Sequence, residues 1–327
     1  MINISSKTES NWVDKNNSDI NYFQIQQRIN FLIKHYLAKK ELDERLAELP
    51  SQFKEPQARP WKPIDWQSIH REQIIGIDKQ VFLSVLVGAM DTEAPIRGYT
   101  QTSRQYLEKL HPQMAQYVGG TIDESGKLIE PGLWEKEERQ HTPALIKVYQ
   151  QLTGEKITPK LRTVRGYLPT SNPYEDLYRH GLHRIATEFG ATCLYIWLMS
   201  HTTGPLQDIL EQLAIDEINH MTKFWGFGVW AYPDTSAIKI TKTLIKTRHQ
   251  NYKSNSLVRT LKRMMQTLNW DSWYFGNKIS LLFTFSSAIH QLWIWNNTLT
   301  PTYLNELFGV EEIPNSEFPT VEPLLTV

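Results

Sequence analysis

The chain has 327 residues, 35 basic against 35 acidic, and 40% of them are hydrophobic, a globular composition with enough core for one large domain or two smaller ones. The balanced charge argues against a general nucleic-acid binder, and the single cysteine, Cys193, excludes an intramolecular disulfide. No N-terminal stretch joins a basic head to an apolar core and a small-residue cleavage site, so a cytoplasmic location is expected.

Residues 1–20, rich in Ser, Asn and Lys, read as a flexible tail. Beyond them apolar residues recur mostly at three- and four-residue steps, and strand-like alternation is scarce. The expectation is an all-α fold, with helices over about 22–48, 78–110, 133–153, 174–201, 205–230, 236–267 and 271–296. Short polar or Gly/Pro stretches, such as Gly119-Gly120 and the turn at 202–205, suit antiparallel packing in a single domain over 21–309. The Pro-rich residues 310–327 read as a second tail.

Two of these segments carry further signals. From Thr235 to Trp270 there are eight basic residues and no acid, with Lys239, Lys242 and Lys246 at helical spacing. That is either a solvated face or a dock for an acidic partner. The apolar run from Ile279 to Trp295 is interrupted by serines, His290 and Gln291, and reads as a buried helix, not a membrane span.

Three positions place an acid and a histidine three residues apart: Glu108/His111, Glu138/His141 and Glu217/His220. Chance alone gives roughly one such spacing in a chain of this composition, so neighbourhood has to decide. Glu138 and His141 interrupt an apolar helical stripe of Trp134, Leu145 and Val148; Glu217 and His220 interrupt one of Leu206, Leu210, Leu213 and Phe224. Around Glu108 and His111 the same face holds Gln101 and Arg104, which reads as solvent-exposed coincidence. Carboxylates on a core-facing stripe are costly unless neutralised, so the two inward pairs call for a shared metal cation, the bland alternative being an arginine or a partner across the bundle.

A di-metal centre of this type takes one carboxylate from each of two further helices. Glu93 ends an apolar stretch with Leu86 and Met90 on its face, and Glu188 lies on the side of Ile185, Thr192 and Tyr195. The alternatives are a helix-end acid beside Pro95 for Glu93, and an exposed ion-pair partner of Arg184 for Glu188. Pro95 and Pro143 each follow a candidate ligand by two residues, which predicts a kink or widened turn at both. Within residues 135–141, Glu135 and Glu137 are both open as supports for the ligands.

The segments VFLSVLVGAMDTEAP, LWEKEERQHTPALIKVYQQLTG, NPYEDLYRHGLHRIAT and LAIDEINHMTK resemble the soluble acyl-carrier-protein desaturases of the ferritin-like superfamily, over roughly residues 60–265. The resemblance implies a ferritin-like four-helix bundle with additional helices and a centre of two iron ions, with manganese as a second possibility. It assigns Glu93, Glu138, His141, Glu217 and His220 as ligands and sets Thr187 beside the oxygen-binding side as a catalytic residue. The family's third-helix ligand falls on Arg184, which cannot bind a metal; Glu188, one turn later, takes the role, with His180 as a weaker substitute. The implied activity is oxygen-dependent desaturation of a fatty acyl chain on acyl carrier protein, with electrons from a ferredoxin-type donor and a homodimeric assembly. The alternatives are a di-iron hydroxylase or N-oxygenase of a small or carrier-bound molecule, and a metal-free bundle that only binds.

Overall fold

The computed structural model describes residues 20–108, 112–160, 172–233, 235, 265–266 and 268–308. Its helices are α1 (Tyr22–Tyr36), α2 (Lys39–Ala47), α3 (Leu49–Lys54), α4 (Lys79–Glu93), α5 (Ile96–Leu107), α6 (Pro112–Gly119), α7 (Leu133–Thr153), α8 (Pro173–Ser200), α9 (Gly204–Ala231), α10 (Phe275–Asn296) and α11 (Pro301–Phe308). One short antiparallel hairpin, β1 (Thr121–Ile122) with β2 (Leu128–Glu130), lies between α6 and α7. The fold is all-α, with 74% of the described residues helical. The expected helix over 236–267, the basic segment and both tails fall almost wholly outside the described residues.

Two long helices, α8 and α9, pack along each other, α7 lies against α4 and α9, and α10 covers α1 and α8. A continuous cluster of buried apolar side chains runs through these layers, from Ile25 in α1 to Leu304 in α11. Local signals set the ends. Asn21 and Gln24 cap α1 reciprocally, Asp78 accepts hydrogen bonds from the Gln80 and Val81 amides at the start of α4, and Asn172 caps α8 ahead of Pro173.

Two expected helices are each broken once. The helix predicted over 22–48 leaves helical geometry at Leu37 and Ala38, the latter extended at φ −60°, ψ 145°. The turn lets Leu42 and Leu46 bury against α9, where a Cβ on Gly226 would come within 2.3 Å of a Leu46 methyl. No Gly or Pro marks that break in the sequence; tertiary packing makes it. The helix predicted over 78–110 stops at Glu93, because Pro95 has no N–H to return to the Asp91 carbonyl, and restarts at Ile96. At Pro143, by contrast, α7 stays helical from Leu133 to Thr153, held between α4 and α9.

A third correction concerns α10. It buries Leu281, Thr284, Ala288, Leu292 and Trp295 but leaves Leu282, Ile289 and Trp293 exposed, because only one face is covered. Among the described residues no helix is long and apolar enough to cross a membrane.

Candidate metal centre

Four helices deliver carboxylates and imidazoles to one buried place. Glu93 is the last residue of α4; α7 brings Glu138 and His141, α8 brings Glu188, and α9 brings Glu217 and His220. Their ligating atoms form two overlapping groups, Glu93, Glu138, His141 and Glu217 in one and Glu138, Glu188, Glu217 and His220 in the other, each within 4.8 Å. Glu138 and Glu217 belong to both. His141 Nδ1 lies 3.2 Å from Glu217, 3.4 Å from Glu138 and 4.0 Å from Glu93, and His220 Nδ1 lies 3.0 Å from Glu138 and 3.6 Å from Glu188.

Whether these residues fit a metal pair is decided by their unused atoms. His141 Nδ1, His220 Nδ1 and Glu217 Oε1 are buried and make no hydrogen bond, although acids and rings stand within ion-pair distance. Close approach without hydrogen-bond alignment is what a set of donors aimed at common points produces. Among the described residues no Arg or Lys forms an ion pair with Glu93, Glu138, Glu188 or Glu217, so the bland reading of these acids finds no partner. An oxygen-rich set with two imidazoles suits iron or manganese better than soft-ligand metals.

The other ring nitrogens are held crosswise. His141 on α7 shares its Nε2 proton with Asp216 of α9 at 3.3 Å, and His220 on α9 shares its own with Glu137 of α7 at 2.8 Å. Both supporting acids are tied by one loop residue. The Arg59 amide donates to Glu137 at 2.8 Å, and its Nε donates to Asp216 at 2.8 Å. Trp61 Nε1 also donates to Asp216, at 2.7 Å, and Trp134 Nε1 donates to Glu138 at 2.9 Å. Tyr195, on α8, donates its hydroxyl to Glu93 at 3.3 Å. Such outer partners fix tautomer and ring orientation.

The choice between Glu135 and Glu137 is thereby made: Glu137 supports His220, while Glu135 pairs with Arg139. Asp216, Arg59 and Trp61 were not read from the sequence. Asp216 had a signal, since an acid immediately precedes the glutamate of both inward Glu-x-x-His pairs but not Glu108, which follows Leu107; the loop residues had none.

Charge crowding follows from the geometry. Burial and then Glu138 push Glu93 well above the usual carboxylate range, and burial, Glu138 and Glu93 do the same to Glu217. Burial works to raise Glu138 too, but His141 and His220 overcome it and hold it at about 2. For both histidines burial alone would favour the neutral ring. Glu138, Asp216 and Glu217 raise His141, and Glu137, Glu138 and Glu188 raise His220, well above the ordinary value. Four clustered carboxylates demand positive charge, which protons on the rings or metal ions can supply.

The position where the resemblance expects a ligand holds a cation stacked on aromatic rings. The Arg184 guanidinium lies over the rings of Trp134 at 5.1 Å and Tyr99 at 5.6 Å, and Glu188 enters the donor group one turn later. His180 is buried but belongs to neither group. The Thr187 hydroxyl donates to its own helix at the Arg184 carbonyl, 2.8 Å away, and sits 3.5 Å from Glu188. Glu108 is exposed, as expected, and pairs with Arg104 at 3.2 Å; Arg104 itself is buried, which corrects the polar-face expectation, and His111 lies outside the described residues. No protein-family model matches the chain, and no curated protein or solved structure is similar to it.

Proposed function

We propose that the protein is an oxygen-dependent di-iron oxidase of the ferritin-like kind, acting on an unactivated C–H bond of an acyl chain. One observation carries the reading: two overlapping buried donor groups that share Glu138 and Glu217, with an unbonded Nδ1 of one histidine in each. A pair of ferrous ions, when bound, supplies dioxygen binding and its reduction. The chain's own residues do the rest. Glu93, Glu138, His141, Glu188, Glu217 and His220 would hold the ions, Asp216 and Glu137 hold the rings, and Thr187 stands beside Glu188. Trp134, Tyr195 and Leu145 help keep the place dry.

The resemblance points to desaturation of a chain on acyl carrier protein: the saturated chain, dioxygen, two electrons and two protons give the alkene and two waters. A ferredoxin-type donor supplies the electrons, and the acid-free basic segment 235–270 is a candidate dock for the acidic carrier. A second reading, hydroxylation or N-oxygenation of a small molecule by the same centre, is favoured by Arg184, a cation beside the centre with no acid partner among the described residues. Product analysis separates the two, as loss of two hydrogens or gain of one oxygen atom. Iron analysis tests both. Less than about one iron per chain, unchanged when Glu138 and Glu217 are replaced by Ala, would overturn the oxidase and leave a bundle that only binds.

A further inference from the structure

We propose that Arg184 binds the carboxylate of a free monocarboxylic acid, so that the substrate of the oxidase proposed above is held by its acid end and oxidised within its first few carbons. The word substrate rests on the small-molecule form of that reading, the second one above; the binding site itself does not.

The inward stripe of α8 reads Leu177, Gly181, Arg184, Glu188, Thr192 and Tyr195, at four- and three-residue steps. Glu188 joins a donor group and Tyr195 bonds Glu93, so this stripe faces the candidate centre. Arg184 therefore enters the same space about one helical turn, ~6 Å along the axis, before Glu188.

Its partners are incomplete in a specific way. The rings of Trp134 and Tyr99 satisfy the faces of the guanidinium, but its N–H groups lie in the plane, and the buried Nε has no hydrogen-bond acceptor among the described residues. Arg45 and Arg139 share an unbonded Nε but donate from a terminal nitrogen, whereas no N–H of Arg184 finds an acceptor among the described residues. Arg59 holds Asp216, Arg28 donates to the carbonyls of Ser200 and Thr202, and Arg45 donates to Asn219. A buried donor left unmade is costly, and a guanidinium edge takes a carboxylate in a bidentate fork.

There is also open space on this stripe of α8. Gly181, one turn before Arg184, is half-buried, and a Cβ there would meet nothing within 4 Å among the described residues. The charge count selects a monoanion. His180 and His183, the nearest ionisable neighbours on α8, are kept neutral by burial and by Arg184, so one positive charge is on offer, and the four carboxylates beyond it oppose a dianion. A thioester-bound chain has no free carboxylate to place there, so this site selects a free acid over a carrier-borne one.

The test uses octanoate, with 1-octanol as its uncharged counterpart, titrated calorimetrically into the full chain with and without iron. Wild type is expected to bind octanoate saturably and at least about tenfold tighter than octanol. Arg184→Gln should bring octanoate down to the level of octanol, Arg184→Lys should fall between, and Gly181→Leu should weaken both by filling the open space beside Arg184. If Arg184→Gln does not fold, Arg184→Lys and Gly181→Leu decide alone. Equal binding of acid and alcohol, unchanged octanoate binding in the variants, or no saturable binding overturns the site. Arg184-dependent binding in a chain that never retains iron upholds the carboxylate site and overturns the oxidase. Full iron loading with Arg184-independent binding does the reverse.

Discussion

Among the described residues, five buried or half-buried histidines divide into two groups with opposite fates. His141 and His220 are raised well above the ordinary imidazole range, whereas His180 is lowered to about 3 and His183 and His201 to about 4. Burial pushes all five toward neutrality, so burial cannot be what separates them. Their neighbours do: carboxylates surround the first pair, while Arg184 acts on His180 and His183 and Arg28 on His201. A histidine in the first group needs a positive charge on its ring or beside it; one in the second needs only a hydrogen bond and packing.

The largest effect should come from the acids that hold the first group together. Glu138→Ala or Glu217→Ala removes a donor from both groups, and each is expected to drop anaerobically loaded iron from about two per chain to below about one. His180→Gln, which alters a buried histidine of the other group, should leave about two. Next in size are Glu93→Gln and Glu188→Gln, each touching one group only, so each should retain about one iron. If all four acid variants lose iron equally, the donors act as one undivided cluster and the two-group description fails.

Much of that division was legible in the sequence. Trp134, Glu138, His141 and Leu145 share a helical face whatever surrounds them, and the same holds for Leu213, Glu217, His220 and Phe224, because period alone places them. Glu93 and Glu188 were readable as inward acids, and Pro95 as an interruption. The crosswise bonds were not. They join α7 to α9 and both to the loop at Arg59 and Trp61, across more than 70 residues of chain, and a loop has no period to read. The break at Leu37 and the exposed side of α10 escaped for a related reason: each depends on which neighbour covers a face, a tertiary choice that local pattern does not encode.

The crosswise bonds give the third prediction. Asp216→Asn keeps the shape but removes the charge that His141, Arg59 and Trp61 all address. Iron affinity should fall about 10- to 100-fold with about two ions still bound at saturation. Glu137→Gln should do the same through His220. A loss confined to stability, with iron affinity unchanged, would mean that these acids hold the Arg59 loop and not the rings.

The smallest effect sharpens the other half of the comparison. His201 is buried at 1% exposure, its Nδ1 meets the Ile75 carbonyl at 3.1 Å, and its ring stacks edge-on against Trp197. Burial, and then the charge of Arg28, hold it near 4 against an unfolded value of 6.5. Between those values the unfolded chain binds the extra proton and the folded chain does not. Stability is therefore complete above pH 6.5 and is lost as pH falls toward 4, by about 2 kcal/mol between pH 7 and pH 5. Urea unfolding of wild type and His201→Gln at both values isolates this share, because Gln keeps a side-chain donor for the Ile75 carbonyl and does not titrate. The variant should lose about 2 kcal/mol less than wild type over the interval. Equal losses would mean that His201 is already solvated in the folded state, and that burial does not act on it as it acts on the histidines of the candidate metal centre.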